Sequence, residues 1–454
     1  MHEIFAQAEA TQKDLSALDA RILETVRGFG LTSLSAMLSN LGKRGTGTLR
    51  EIGADTVLGH VRFDCRYAAP ALEKPASRQD GRRRARETEK GIRRKKGGAF
   101  ERVGAEEVAY PLKSALGLTE SMTPALAEKH HHIAALAGSF REGADSLRRL
   151  ADVVMSESTF MRRAYAAGQQ ALLEQELVVM RLCLCGALPP HLTAALLCVT
   201  PTLYIMLDGT GVPCVKKDTR KSKGKNGKPA KTREVKVGVI GTFRWVDARR
   251  RPVRDRGAET HIVSAKTAQS FGTLLRRVAN SRGYGHTGLR VQICGDGAEW
   301  IEKIVKQAFP GADVIFVNDF YHACEHLHAF LAHAIKEAKL LARAFAKARG
   351  ILLRTGGKGL VTHLERTYEK VAADNKDARQ ELNYFKNRVG HMKYAEYRKA
   401  GLYIGSGIVE AACRTDVARR CKQAGMHWRL HNAEAMCALV ARLRSGVPAA
   451  KPAA

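Results

Sequence analysis

The feature that most restricts the fold is a series of short apolar runs between residues 201 and 322, several of which end in an acidic residue. The runs are LYIMLDG, EVKVGVIGTFRWV (234–246), HIVSAKT (261–267), LRVQICGDG (289–297) and ADVIFVNDFYH (312–322). Apolar runs of this length predict strands. Because amphipathic stretches such as AQSFGTLLRRVANSRG and EWIEKIVKQAFPG separate the later runs, the pattern predicts a mixed α/β (α+β) sheet.

A large positive charge indicates a polyanionic partner. The 454 residues contain 75 Lys and Arg against 45 Asp and Glu, a formal net charge of +30. Two runs, 78–102 and 216–233, concentrate this charge, and the first contains Arg82, Arg83, Arg84, Arg93, Arg94 and Lys95. Each run by itself is also typical of a solvated loop. Two such runs together with the overall charge favour contact with nucleic acid through its phosphates, which carries no sequence specificity.

The remaining composition excludes other classes of protein. The chain is 45% apolar, which is typical of a globular protein, and it has no apolar run close to the roughly 18–20 residues of a membrane span. Its first residues, MHEIFAQAEATQKDL, do not resemble a secretory signal, and its ten cysteines are scattered. We therefore expect reduced thiols, a cytoplasmic, nucleoid-associated location and no membrane partner.

The N-terminal part is predicted to be helical. Residues 1–43 have the apolar spacing of two amphipathic helices broken near Gly28–Gly30. Farther on, SLRRLADVVMSESTFMRRAYAAG predicts a helix, a turn and a second helix with Ser156 as its N-cap. Arg162 and Arg163 lie on the second helix, which a helix-turn-helix protein presents to the DNA major groove. An ordinary helical hairpin fits the same pattern.

The predicted elements give a provisional domain organisation. The block after the last apolar run is helical almost throughout, apart from a GGKG break, and a glycine-rich turn then precedes a helix that carries Glu410. The regions are an N-terminal helical and basic region (1–115), a helix-turn-helix domain (116–180), a first part of the sheet domain (201–322), a helical insertion (323–400) and a C-terminal part of the sheet domain (401–446).

Three acidic residues form a candidate metal site. Asp208 and Asp296 each come where an apolar strand gives way to glycine, and Glu410 comes just after a Gly-Ser-Gly turn. Side chains at strand ends of an α/β sheet point into an open crevice. Carboxylates are the ligands that Mg²⁺ prefers, and two such ions support phosphodiester chemistry. An acid after a strand is also a common turn or helix cap, so both interpretations remain open at this point.

The order Asp208, Asp296, Glu410 resembles that of DDE transposases with a ribonuclease H-like catalytic domain. The wording of the motifs is similar to that of bacterial insertion-sequence transposases of the ISKra type. These motifs are MLDGTGVP, EVKVGVIGTF, GDGAEWI, DFYHACEHL and IGSGIVEAACRTDVARRCKQAGMHW. The last is the most specific, and the resemblance covers roughly residues 112–446.

The resemblance implies a role for each matching residue. Asp208, Asp296 and Glu410 would be the catalytic carboxylates and hold Mg²⁺, with Mn²⁺ as a substitute. Asp319 and His322 form an Asp-x-x-His pair that would support the active site, although a partly buried structural histidine is the alternative for His322. The helix that bears Glu410 carries further candidate DNA contacts, which are Arg419, Arg420 and Lys422.

The resemblance also implies the binding partners of the chain, and one departure from it concerns a structural zinc ion. The expected partners are double-stranded DNA, as terminal repeats and as target, and further copies of the chain in a homodimer or larger homo-oligomer. Relatives often carry zinc-ribbon cysteine pairs upstream of the ALGL-like segment, whereas this chain has only Cys65 there. We therefore expect no structural zinc in that region.

Three functions remain in competition. The leading hypothesis is a transposase that cuts the 3′ ends of an element and joins them to target DNA by metal-dependent hydrolysis and transesterification. The alternatives are a catalytically silent, domesticated DNA-binding protein and a ribonuclease H-like host nuclease. The intact acid triad argues against the first alternative, and the helix-turn-helix argues against the second.

Overall fold

The computed structural model describes residues 15–43, 48–67, 92–94, 100–102, 116, 118, 121–185, 202–220, 222, 228–246, 251–282, 284–285, 289–311 and 314–445. The chain divides into two compact units, Met1–Arg163 and Ala164–Ala454. Four of the predicted DNA contacts, Arg82, Arg83, Arg84 and Lys95, lie outside the described residues.

In the first unit, a long helix packs on a β-hairpin. Helix α1 spans Leu15–Gly42, and strands β1 (Thr48–Thr56) and β2 (Gly59–Tyr67) pair antiparallel. Alternate hairpin residues face the helix, as expected for a hairpin that is buried on one side. The buried residues of this small core are Leu38, Ala54, Val61, Phe63 and Cys65.

The prediction of two helices broken near Gly28–Gly30 is wrong, because α1 is continuous. A glycine inside a helix costs only about 1 kcal/mol relative to alanine, and packing against the hairpin compensates for that cost. Gly30 also has a packing reason, since a Cβ there would lie 2.9 Å from a terminal methyl group of Leu58.

The predicted helix–turn–helix segment has the expected elements. Helix α2 spans Pro124–Leu136, α3 spans Phe140–Ala151 and α4 spans Glu157–Cys185. Asp152 ends α3 in the left-handed conformation, with φ 52°. The Thr159 N–H donates to the Ser156 hydroxyl over 3.2 Å, so Ser156 caps α4 as predicted.

The first basic run is not wholly a loop. It contains a short antiparallel pair, β3 (Ile92–Arg94) and β4 (Phe100–Arg102), so the predicted DNA contacts Arg93 and Arg94 lie on a strand. The second run begins with a short helix, α5 (Lys216–Thr219).

The second unit is built on a mixed sheet, as predicted. Its strands are β5 (Thr202–Pro213), β6 (Thr232–Val246), β7 (Pro252–Arg254), β8 (Thr260–Ser264), β9 (Arg290–Gly295) and β10 (Val314–Asn318). Their order in the sheet is β10–β9–β5–β6–β8, and β7 pairs with the far end of β6. Strands β5, β6 and β8 are antiparallel neighbours, whereas β9 and β10 run parallel to β5.

Strand alternation assigns the two faces of the sheet. Leu203, Ile205 and Leu207 of β5 pack in one core with α6 (Ala268–Ser281) and α7 (Glu299–Ala308). Because successive side chains point to opposite faces, Asp208 belongs to the other face. Ile293 of β9 joins the same core as Leu207, so Asp296 shares the face of Asp208.

The block after the sheet is helical, as predicted. Its helices are α8 (Phe320–Ala334), α9 (Ala338–Asp374), α10 (Lys376–Lys386) and α11 (Tyr394–Lys399). The predicted GGKG break is a kink within α9, where Gly356 has φ 71°. A Cβ at this position would lie 2.6 Å from the Met392 carbonyl oxygen, so both the conformation and the close approach require glycine.

The C-terminal segment returns to the sheet. Helix α12 (Gly407–Ala412) contacts β5 and β6, and it continues through a π-helical turn (Cys413–Ala418) into α13 (Arg419–Cys421). Helix α14 (Leu430–Arg444) packs on β8. None of the described helices is both long and apolar enough to cross a membrane.

Candidate active site

The sheet register places Asp208 and Asp296 side by side. Strands β5 and β9 are parallel, and Met206 pairs with Cys294. Each aspartate comes two residues after its member of this pair, on the same face. Neighbouring strands lie about 4.8 Å apart. The two carboxylates therefore lie close together where β9 ends. Asp296 follows its strand as predicted, whereas the prediction that Asp208 ends its strand is wrong, because β5 continues to Pro213 and stays paired with β6.

Asp208 is held in a partly buried position by two donors. The Gly209 N–H donates to its carboxylate over 2.6 Å, and the Cys413 thiol donates to it as well. Burial raises the pKa of Asp208, and the negative charges of Asp296 and Glu410 raise it further against these hydrogen bonds. The three predicted acids thus lie within electrostatic reach of one another.

Asp319 positions the turn that carries Glu410. Asp319 is fully buried at the N-terminus of α8, and its carboxylate accepts the His322 N–H over 2.7 Å and the Ser406 N–H. The Ser406 hydroxyl in turn donates to the Glu410 carboxylate over 2.9 Å. The Phe320 N–H also bonds the preceding segment, at the carbonyl oxygen of Ile404. Asp319 therefore acts on the site through Ser406.

The helical block contacts the turn after Asp296. The Asp296 carboxylate accepts the Ala298 N–H over 2.9 Å, and Gly297 between them has φ 81°. The Tyr384 hydroxyl donates to the Asp296 carbonyl oxygen over 3.3 Å, and Arg388 donates to the Gly297 carbonyl oxygen over 2.7 Å. Helix α10 consequently fixes the backbone of this turn.

A buried charge network supports the π-helical turn behind Glu410. Asp416 is fully buried, and its carboxylate lies 2.7 Å from Nδ1 of His261 on β8. Burial alone would lower the pKa of His261, but hydrogen bonds to Asp416 and Glu259 raise it overall. Arg444 of α14 lies 3.3 Å from the other oxygen of Asp416. Sequence analysis missed Cys413 and Asp416, although they follow Glu410 by three and six residues.

The predicted basic contacts on this segment differ in exposure. Arg419 and Lys422 are exposed, and Lys422 donates through Nζ to the Thr210 hydroxyl, two residues from Asp208. Arg420 is 1% exposed, with its guanidinium 5.5 Å from the centre of the Trp428 ring. Because Arg420 packs inside the unit, its predicted DNA contact is not compatible with its position.

The two arginines that were predicted to contact DNA from α4 also differ in exposure. Arg162 is exposed. Arg163 is buried, and it donates to the carboxylate of Asp55 on β1 over 2.7 Å. This ion pair occupies the Arg163 guanidinium inside the first unit, so the prediction that it faces DNA is not compatible with its position.

The carboxylate pair fits the ligand preference of Mg²⁺. Among all residues that the structure describes, no three His, Cys, Asp or Glu side chains lie close enough to hold a metal ion between them. Proteins hold Mg²⁺ through one or two carboxylates, with water and substrate phosphates as the remaining ligands. Asp208 and Asp296 are two carboxylates of this kind, and the binding of Mg²⁺ by Asp208, Asp296 and Glu410 remains a prediction.

The chain has little similarity to known proteins. No protein-family model matches the chain, and no curated protein matches it. A solved structure described as the Drosophila P element transposase strand transfer complex is similar over 70% of this chain and 78% of that chain, at 10% identity with a TM-score of 0.26. A likeness at this level carries no argument about fold or function.

Proposed function

We propose that the chain is a DDE transposase that catalyses metal-dependent 3′-end cleavage and strand transfer. The observation that carries the proposal is the arrangement of three carboxylates around the adjacent strands β5 and β9. Asp208 and Asp296 each come two residues after the paired Met206 and Cys294, and the charges of Asp296 and Glu410 are close enough to raise the pKa of Asp208. Acidic groups that repel one another in a crevice are typical of catalytic sites.

The topology of the second unit supports this proposal. Three antiparallel strands followed by two strands parallel to the first are compatible with a ribonuclease H-like domain. The acids come from its first strand, from the turn after its fourth strand and from the helix that follows the helical block. We interpret the block 323–400 as an insertion between the second and third acids, which contacts the site through Tyr384.

Each acid has a supporting group that orients it. Gly209 and Cys413 hold Asp208, and the Ala298 N–H holds Asp296. Ser406 holds Glu410, which is exposed and therefore accessible to a large substrate. Mg²⁺ at such a site would activate a water or a 3′-hydroxyl and stabilise the leaving oxygen. The role of the chain's own residues is to fix the carboxylates before the substrate arrives.

We propose DNA surfaces on each unit separately. In the first unit, Arg162 is exposed on α4, the second helix of the predicted helix–turn–helix. In the second unit, Arg419 and Lys422 lie close to the acids. Phosphate contacts of this kind position a duplex without reading its sequence. Joining two element ends would require at least two copies of the chain.

A cleavage assay on natural flanking DNA tests the proposed function. Labelled duplexes from both sides of the gene are incubated with the full chain and a target plasmid, in Mg²⁺ and in Mn²⁺. We expect nicking at one 3′ end in each flank and joining of that end to the plasmid. A duplex with the same composition in scrambled order serves as the control.

Two outcomes would overturn the proposal. Tight binding without cutting in either metal would favour the silent DNA-binding protein. Cutting of RNA–DNA hybrids with no preference for the flanking DNA would favour the host nuclease.

Lys422 provides a test of the DNA surface near the acids. Lys422→Gln removes one cation that we propose to contact a phosphate. The salt dependence of DNA binding, plotted as log K against log[KCl], should become shallower by about 1. Fluorescence anisotropy with a labelled duplex measures this slope. Lys303→Gln, on the exposed face of α7, is the matched control, and an equal change in both variants would contradict the assignment.

A further inference from the structure

Two histidines of α8 face each other one helical turn apart. The Nε2 atoms of His322 and His326 are 3.2 Å apart, and their rings are nearly perpendicular with centroids 4.7 Å apart. The spacing, His322-Ala-Cys-Glu325-His326, places both imidazoles on one side of the helix. Two histidines at this spacing recur in helical zinc sites.

The outer nitrogens of both rings are occupied by carboxylates. Nδ1 of His322 lies 3.1 Å from Glu325, and Nδ1 of His326 lies 2.5 Å from Glu381 of α10. Because an ionised carboxylate only accepts hydrogen bonds, each Nδ1 carries a proton. In the neutral rings, the lone pairs of the two Nε2 atoms therefore point at each other.

A positive species between or beside these two nitrogens would relieve the repulsion between their lone pairs. It is either one shared proton or a cation. A cation about 2.05 Å from both nitrogens would make an N–metal–N angle of about 100°, close to tetrahedral geometry for Zn²⁺. The carboxylates on Nδ1 are the outer-shell partners that metal-binding histidines usually have. The pair of Nε2 atoms thus fits a borderline-soft ion rather than Mg²⁺.

The surroundings permit entry and hold the rings in place. The side chains of His322 and His326 are 36% and 27% exposed, so an ion can reach them and keep water ligands. Tyr384 stacks on His326 with centroids 3.7 Å apart and an interplanar angle of 21°. The hydroxyl of the same tyrosine donates to the Asp296 carbonyl oxygen. No third His, Cys, Asp or Glu among the described residues completes the site.

We propose that His322 and His326 bind one divalent transition-metal ion of the Zn²⁺ class, at a site separate from Asp208 and Asp296. The ion bridges two turns of α8, and Glu381 connects the site to α10. The remaining positions belong to water or to a substrate group. This inference does not depend on the proposed function, because it rests on the two imidazoles and their carboxylates.

Metal titration of the full chain tests the proposal. After chelator treatment and dialysis, Co²⁺ and then Zn²⁺ are added, and stoichiometry and affinity are measured from the visible Co²⁺ spectrum and its displacement by Zn²⁺. We expect one ion per chain. Glu381→Gln should weaken binding about 10- to 100-fold, and His326→Gln should weaken it on the order of 100-fold or more, because loss of a ligand exceeds loss of an outer-shell partner.

Three controls make the result decisive. His328→Gln removes an exposed imidazole from the same helix and should leave binding unchanged. Asp208→Asn should also leave it unchanged, whereas loss of binding in this variant would place the ion at the carboxylate pair and overturn the proposal. Equal affinity in the wild type and His326→Gln would mean that a shared proton alone occupies the pair. Circular dichroism in chelator confirms that each variant is folded.

Discussion

Replacing Asp208 with asparagine should lower the rate of DNA cleavage by about 10³-fold or more without weakening DNA binding. The substitution keeps the size of the side chain and removes the charge that would hold a divalent cation. Such cations contribute several kcal/mol of transition-state stabilisation, and each 1.36 kcal/mol corresponds to a factor of ten in rate. Single-turnover cleavage of labelled flanking DNA measures the rate, and anisotropy measures the binding.

The same substitution should not destabilise the second unit. Burial and the neighbouring acids raise the pKa of Asp208, which means that its ionised form is less favourable in the folded chain than in the unfolded one. A neutral amide avoids this cost above the unfolded pKa, so the melting temperature of Asp208→Asn should equal or exceed that of the wild type at pH 7. Glu369→Gln, on the exposed surface of α9, should leave both the rate and the melting temperature unchanged. Loss of activity together with a lower melting temperature would point to a structural role instead.

The second large effect concerns the buried network behind the π-helical turn. Asp416→Asn should lower the free energy of unfolding of the second unit by about 3 kcal/mol at pH 6, because breaking a buried ion pair leaves its partner uncompensated. Urea unfolding followed by tryptophan fluorescence measures this quantity. All three tryptophans, Trp245, Trp300 and Trp428, belong to Ala164–Ala454, so the signal reports this unit alone.

The loss of unfolding free energy in Asp416→Asn should become smaller as the pH rises. The pKa of His261 is raised in the folded chain, so its ion pair with Asp416 stabilises fully below the unfolded value near 6.5. That contribution is lost as the pH rises through the raised folded value. The difference between wild type and Asp416→Asn should therefore shrink between pH 6 and pH 9.

A surface ion pair is the matched control for this prediction. Glu365 and Lys386 lie 2.7 Å apart, and both are exposed. Glu365→Gln should cost at most about 1 kcal/mol. A loss in Asp416→Asn that is no larger than this, or that does not change between pH 6 and pH 9, would show that the buried pair does not stabilise the unit.

Local pattern was sufficient to predict the strands of the sheet and the position of one of its acids. Strands of four to eight apolar residues are recognisable without tertiary information. Asp296 follows β9 as predicted, whereas Asp208 lies inside β5, because pairing with β6 extends this strand to Pro213. The cap at Ser156 was predictable for the same reason, since a cap bonds within one helical turn.

Long-range packing accounts for what the sequence could not reveal. Whether an arginine on a helix faces solvent depends on what covers it, and Arg163 meets Asp55, 108 residues away. Likewise, Asp416 meets His261 at a separation of 155 residues. In α1, contact with the hairpin outweighed the glycines that predicted a break. None of these partners is marked by local periodicity.

The π-helical turn after Glu410 has a consequence for how this segment can change. A residue inserted into an α-helix rotates everything beyond it by about 100°, and a π turn absorbs such an insertion locally. Here the residues before the turn face the carboxylate site, and Asp416 within it faces the interior. The turn therefore sets the rotation about the helix axis of the residues after it relative to those of α12. A deletion of one residue would change this rotation and misalign either Glu410 or Asp416. Substitutions, in contrast, can alter one half while the other keeps its orientation.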